Sequence, residues 1–378
     1  MKLPTLDSYN FAGKRVLVRV DLNSPVVNGK VLMNDRIKES AMTIKELKRK
    51  KAKVVVLAHQ SRKGERDFIS LEQHSKLLNK FVKVKFVDEI IGKKAVAEIN
   101  KLKEGEVLLL ENVRFEDDEF RPSTRNKIVK TLALLFDFYV NDAFSVSHRE
   151  QTSVVSFPKL LKSCVGRLMQ KEIEALEKVK LGNCLFVLGG VKMDEIIQFV
   201  DGKRKILAGG LLGPLILFVN GQRFGETEKY LDKKYFGKLK NVKNVAPAVD
   251  YAFDVGAKRK EMTLDELPCK YRALDIGSKS IEIFIGEIKK AKCVFLKGPM
   301  GMYEDERFAE GTRKILKAVV QSKAFSVLGG GHTENALKSL GFRKKDFGYV
   351  SLSGGATVEY ILGKKLPGVE MLRKRKRL

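Results

Sequence analysis

Apolar residues along the chain fall into short blocks, and two rhythms alternate between them. The first half carries the compact runs RVLVRV (15–20), KVVVLA (53–58), KVKFV (83–87), EVLLL (106–110) and FDFYV (136–140). Apolar runs of this length, bounded by polar residues, predict strands. Between them, RIKESAMTIKELKRK and LEQHSKLLNKF repeat their apolar positions at helical spacing. Strand and helix in alternation predict a parallel sheet covered by helices, with functional residues past the carboxyl ends of the strands. The segments found there are VDLN, AHQSR, ENVRF and NDAFSVSHRE. They predict that Arg36, Arg62, Arg114 and Arg149 converge on one edge of one sheet, with His59 among them.

A guanidinium fork binds phosphate or carboxylate through two parallel hydrogen bonds. One such arginine is most often a solvated surface charge. Four at the strand-end loops of one sheet predict a site for a small, multiply negative ligand.

The second half keeps the strand–helix rhythm but exchanges arginines for glycines. Four joints recur: VLGGVKMDEII (187–197), LAGGLLGPLIL (207–217), VLGGGHTENAL (327–337) and SLSGGATVEYIL (351–362). A helix N-terminus offers unpaired N–H groups and the positive end of a dipole, and glycine lets an anion approach them. A single joint also suits close packing of helix on strand. Four in one sheet predict a nucleotide-sized anion site, with phosphate at the glycines. No G-x-x-x-x-G-K-[ST] and no G-x-G-x-x-G is present, so neither a P-loop nor a typical dinucleotide fingerprint accounts for them. The DFG at 346–348 lacks the other protein-kinase motifs and is read as coincidence.

At 378 residues the chain accommodates two domains, and 44% hydrophobic with 31% charged residues suits a folded protein. The longest apolar run, Ile206 to Val219, is broken by glycines and Pro214 and is too short to span a bilayer. The first residues lack the apolar core of a signal peptide. Four cysteines stand singly, with no CxxC pair, which predicts neither a zinc site nor a disulfide framework and favours a reducing cytosol. The net charge of +27 raises nucleic-acid binding. Its cations are spread along the chain, however, and the only true basic run, RKRKRL (373–378), reads as a solvated end. The same charge attracts small polyanions, so by itself it decides between neither.

The ordered series RVDLNSPV, DRI, AHQSRKG, ENVRF, NDAFSVSHR, GGVKM, KGPMGMYE, GGGHT and LPGVEML, from about Arg15 to Leu372, resembles the phosphoglycerate kinases. GGGHT and the AHQ opening resemble the archaeal branch. The resemblance implies an α/β fold of two doubly wound, Rossmann-like parallel-sheet domains joined by a hinge helix. Residues 1–165 would bind phosphoglycerate, 166–180 form the connector and 181–363 bind nucleotide, with 364–378 packing back on the first domain. It implies reversible phosphoryl transfer between 1,3-bisphosphoglycerate with ADP and 3-phosphoglycerate with ATP. Mg²⁺ would arrive on the nucleotide, with no protein residue assigned to the metal. A cytoplasmic monomer without membrane or specific nucleic-acid partners is expected.

Matched position by position, Asp21, Asn23, Arg36, His59, Arg62, Arg114 and Arg149 would bind phosphoglycerate. Lys192, Glu304, Gly330, Gly331, His332, Thr333, Gly354 and Gly355 would bind nucleotide, and Arg36 and Lys192 would grip the phosphoryl group in flight. The chain departs from the family pattern at Ile196, Lys297, Ser353, His332 and in the HQSRK turn. Those departures bear on nucleotide affinity and metal handling. A non-catalytic polyanion binder, or an acyl-phosphate kinase for another acid, stays open from these residues alone.

Overall fold

The computed structural model describes residues 3–181 and 183–373, so the basic tail 374–378 lies outside the described residues. The chain forms two compact units, Met1–Glu174 with Lys364–Leu378, and Ala175–Gly363.

The first unit is built on a six-stranded parallel sheet. Arg15–Arg19 lies at its centre, flanked by Lys53–Leu57 and Phe138–Asn141. Val107–Leu110 and Lys85–Val87 extend one side, and Lys162–Val165 the other. Successive side chains enter two different cores. Val16, Val18, Val54 and Val56 pack on one face, Leu17, Val55, Leu57 and Leu108 on the other. Burial on both faces is why these strands read as continuous apolar runs. The helix Asp35–Arg49 starts where the Asn34 side chain accepts a hydrogen bond from the Ile37 amide at 3.1 Å. It buries Ile37, Ala41, Ile44 and Leu47 as one stripe and ends on Lys48 and Arg49, which complement its dipole. The chain leaves the central strand towards one side of the sheet, while Phe138–Asn141 feeds the other side. The crevice between these two strands' carboxyl ends is therefore the switch point, where ligands bind in open parallel sheets.

The second unit repeats the plan, in the order Val245–Pro247, Lys205–Ala208, Leu185–Leu188, Cys293–Lys297, Phe325–Gly329 and Tyr349–Ser351. Its switch point lies between Leu185–Leu188 and Cys293–Lys297. The apolar run from Ile206 to Val219 divides into a strand and the helix Leu212–Val219. No described helix is long and apolar enough to cross a membrane. Asp250–Val255, Lys258–Thr263 and Ala273–Ile276 form a separate antiparallel sheet, which the strand–helix rhythm does not predict. The helix Arg167–Leu181 contains the boundary between the units. The C-terminal helix Pro367–Arg373 lies in the first unit, where the Gly368 amide donates to the Ser147 carbonyl at 2.9 Å.

The four cysteines do not all stand singly, contrary to what their spacing predicts. Cys184 and Cys293 form a disulfide across two neighbouring parallel strands, with Cα atoms 4.5 Å apart, and Cys164 and Cys269 are free. The two partners are 109 residues apart, and only the pairing of Leu185 with Val294 brings them together. Unpaired cysteines therefore no longer argue for a reducing compartment.

Candidate active site

At the carboxyl edge of the first sheet, Asp21 and Asn23 follow the central strand. The Arg36 guanidinium lies 3.1 Å from Asp21 Oδ2, the oxygen that also accepts a hydrogen bond from Ser145 across the switch-point crevice. The other oxygen accepts from the Asn23 amide at 3.0 Å. Burial would raise the Asp21 pKa, but Arg36, His59 and these hydrogen bonds outweigh it and hold the carboxyl well below the usual range. Asn23 in turn accepts from the Ser61 amide at 2.7 Å. Ser61 adopts φ 57°, a left-handed conformation that favours glycine, within the HQSRK turn. Its hydroxyl is tied to Asp67 at 2.5 Å.

His59 is buried, and its Nδ1 lies 3.1 Å from a terminal nitrogen of Arg19. A guanidinium only donates, so Nδ1 accepts and the imidazole proton sits on Nε2. Burial first, and then the Arg19 charge, push the His59 pKa well below its ordinary value. His59 is thus a neutral hydrogen-bond donor. Arg19 itself is fully buried. It donates to Ser153 Oγ at 2.9 Å, and that hydroxyl reaches the buried Glu119 at 2.7 Å. Arg19 passed unnoticed in the sequence as part of an apolar strand.

Arg62, Arg114 and Arg149 line one open depression of about 520 Å³, together with Lys63 and Phe120, which the sequence did not single out. Arg36, Asp21, Asn23 and His59 are not part of that lining. Asp21 links the two groups, because its charge also acts on Arg149. Arg114 is only 3% exposed, and its Nε has no hydrogen-bond partner among the described residues. Burial and then the charges of Arg19 and Arg149 push its pKa down to about 10. Arg149 is lowered too, by burial and then by Arg62. Guanidinium groups lowered by neighbouring guanidinium charges, with Asp21 and Glu119 opposing only in part, mark a site of positive potential. An anion relieves it.

On the second unit the four glycine joints divide into two kinds. A Cβ on Gly189 would sit 2.2 Å from the Pro299 carbonyl oxygen, and one on Gly210 would sit 2.3 Å from the Gly190 amide. The Gly189, Gly190 and Gly210 amides donate to Lys297, Pro299 and Met300 carbonyls. These glycines serve close packing of backbone on backbone, the use that a single joint also suits. A Cβ on Gly331 or Gly354 would meet nothing within 4 Å. Gly330 has φ 95° and caps the helix Gly331–Ser339, whose first-turn amides lack intrahelical partners. Thr333 spends its hydroxyl internally, accepting from the Gly298 amide and donating to the Gly329 carbonyl, both at 2.8 Å. Lys192 is exposed at the start of the single helical turn Met193–Ile196, too short to carry a substantial dipole.

Lys297, noted in the sequence only as a departure, occupies the centre of this edge. Its side chain is 6% exposed and its ammonium lies 2.7 Å from Glu195. The same nitrogen would lie 3.1 Å from a Cβ on Gly330, so it borders the triple-glycine turn. Glu304 and His332 line a neighbouring pocket of about 380 Å³ whose walls include Val191, Leu211, Tyr251 and Met300. This largely apolar slot, with Arg272 and Asp275 also in its lining, suits a planar base. Among the described residues, no three His, Cys, Asp or Glu side chains are grouped so as to hold a metal.

A profile of the phosphoglycerate kinase family matches residues 6–364. The phosphoglycerate kinase of Methanopyrus kandleri is 38% identical over 395 residues, covering 98% of this chain and 97% of the relative. That of Sulfurisphaera tokodaii is 39% identical over 399 residues, covering 98% and 96%. The crystal structure of phosphoglycerate kinase from Pyrococcus horikoshii OT3 matches with a TM-score of 0.87 at 32% identity, covering 98% of both chains. The structure from Coxiella burnetii matches with a TM-score of 0.86 at 29% identity, covering 98% of this chain and 99% of its own. Two six-stranded parallel sheets, a guanidinium-lined edge on one and open glycine turns on the other belong with these matches: the chain is a member of the phosphoglycerate kinase family, an enzyme of glycolysis and gluconeogenesis.

Proposed function

We propose that the guanidinium-lined edge of the first unit binds 3-phosphoglycerate and the glycine edge of the second binds MgATP, and that the γ-phosphoryl group passes directly between them. The observation that carries this reading is the gathering of Arg62, Arg114 and Arg149 around one open depression, where burial and neighbouring guanidinium charges lower both Arg114 and Arg149, as at a site built for a small polyanion. Arg62, Arg114 and Arg149 hold the substrate phosphate. Asn23 and the Nε2–H of His59 orient the rest of the molecule, and Asp21 fixes Arg36.

The acceptor is a carboxylate, ionised at neutral pH, so no general base is required. Its oxygen attacks the γ-phosphorus in line, the bond to the β-bridging oxygen breaks, and ADP leaves with the electron pair. Such a step needs alignment and charge stabilisation more than proton transfer. Arg36 and Lys192 neutralise the equatorial oxygens in flight, and the amides at Gly330, Gly331, Gly354 and Gly355 hold the nucleotide phosphates. Glu304 and His332 face the ribose and base. Hinge closure of the two domains excludes water from an acyl phosphate that would otherwise hydrolyse. Glu195, the carboxylate beside the Lys297 ammonium that borders the triple-glycine turn, is engaged by that lysine. The residues therefore fit a magnesium ion carried on nucleotide phosphate oxygens, where it supplies charge neutralisation. We place the enzyme in the cytoplasm, as a monomer.

A coupled assay with ATP and 3-phosphoglycerate tests the reading. Arg36→Ala and Lys192→Ala are each expected to lower kcat about 10²–10³-fold with little change in KM. Turnover at background while nucleotide still binds would overturn the proposal.

A further inference from the structure

On several helices of this chain a surface lysine meets a carboxylate one turn away. Glu72 answers Lys76 at 2.8 Å, Glu310 answers Lys314 at 2.6 Å, and Glu334 answers Lys338 at 2.8 Å. The C-terminal half of Asp35–Arg49 departs from this habit. Glu39 and Glu46 of that helix are engaged by Lys171 and Arg167, at 3.7 and 2.6 Å. Lys45, Lys48 and Arg49 point elsewhere. With Lys83 they line an open groove of about 640 Å³ whose other walls are Met42, Phe81 and Val82, with no acidic residue in the lining. None of the four cations has a carboxylate partner among the described residues. Lys45 lies 5.8 Å from the centre of the Phe81 ring, and Met42 is 52% exposed.

The groove is separate from the catalytic edge. Twelve residues of helix part Arg36 from Lys48, about 18 Å at the usual rise. Cations held along an apolar, concave wall focus positive potential where an anionic chain can lie. The lining also restricts the class of chain. An acidic peptide offers a flat face beside its carboxylates only where its sequence supplies an aromatic residue, and a bilayer surface cannot enter a concavity. A strand of phosphates with exposed bases satisfies both features, its phosphates on the cations and a base on the ring and thioether.

We propose that this groove binds single-stranded nucleic acid without regard to sequence, in addition to the phosphoryl-transfer activity. Anisotropy of a fluorescein-labelled twelve-residue oligouridylate on the full chain tests it. Four neutralised phosphates give a slope of log K against log[salt] near −2.8, roughly a 50-fold loss between 50 and 200 mM KCl. The triple variant Lys48→Gln, Arg49→Gln, Lys83→Gln is expected to bring the slope to about −0.7 while leaving turnover with ATP and 3-phosphoglycerate unchanged. Phe81→Leu, and separately Met42→Ser at the exposed position, are expected to weaken the oligonucleotide about fivefold without altering binding of inorganic polyphosphate. Saturating 3-phosphoglycerate should not displace the oligonucleotide. The proposal is overturned if the triple variant binds as the parent does, which assigns binding to other cations of the chain. It is equally overturned if 3-phosphoglycerate displaces the strand, or if polyphosphate, a glutamate-rich peptide or phosphatidylserine vesicles bind as tightly and the Phe81 and Met42 changes have no selective effect.

Discussion

Replacing Asp21 by asparagine removes one negative charge from among the arginines and keeps the side chain's shape. Oδ1 accepts from the Asn23 amide, whereas Oδ2 faces both Arg36 and Ser145. Asparagine retains the first bond, but its NH₂ then meets two donors. Arg36, whose side chain is 29% exposed, loses the charge of this carboxylate. A hydrogen bond to a charged group contributes about 1.5–3 kcal/mol. If that energy serves to orient Arg36 in the transition state, kcat falls about 10²-fold, equivalent to about 2.7 kcal/mol. KM for 3-phosphoglycerate is expected to hold or decrease, because a carboxylate has been removed from an anion site. The assay is steady-state turnover at saturating MgATP with 3-phosphoglycerate varied, accompanied by a thermal melt to show that the variant folds. The Asp21→Asn, Arg36→Ala double variant should be no slower than Arg36→Ala alone, since both changes act through one guanidinium. A raised KM with kcat intact would mean that Asp21 contacts the substrate itself, and the orientation argument would be wrong.

Three further outcomes are expected. Lys297→Met should raise KM for ATP about tenfold or more and leave that for 3-phosphoglycerate unchanged; unaltered nucleotide kinetics would leave Lys297 with no role beyond its pair with Glu195. His74 is buried, and burial pushes its pKa down to about 4 from 6.5. Its folded state therefore resists protonation, so its stabilising contribution is complete above pH 6.5 and is lost as pH falls towards 4. Between pH 7.5 and 4.5 the loss is about 2.5 kcal/mol, and His74→Gln should flatten the urea stability profile by that amount; a profile parallel to that of the parent would contradict it. Replacing Cys184 and Cys293 by serine, or adding dithiothreitol, should destabilise the nucleotide unit by about 2–4 kcal/mol, because the bond closes a long loop in the unfolded chain. An unchanged denaturation midpoint would show that the two cysteines are thiols in the folded protein.

Much of the architecture is determined locally. RVLVRV, KVVVLA and EVLLL have to be buried on two faces, so their apolar runs are legible as parallel strands without any knowledge of their neighbours. Once the sheet is parallel, the loops after its strands share one edge whatever the strand order. Arg62, Arg114 and Arg149 could therefore be grouped from their positions after strands alone. What depended on the order of strands could not be read this way. The glycines at 189 and 210 and those at 331 and 354 have similar sequence surroundings. The space at Gly189 is filled by Pro299 and Met300, about a hundred residues onward, that at Gly210 by the backbone of Gly189 and Gly190, and the second pair is left open. The Cys184–Cys293 bond, the neutral tautomer of His59 set by Arg19, and the placing of Lys297 against the triple-glycine turn have the same origin. Periodicity along a chain reports how each segment is buried. Which backbone or charge meets which is decided only when distant strands take their places in the sheet, because those contacts have no trace in local spacing.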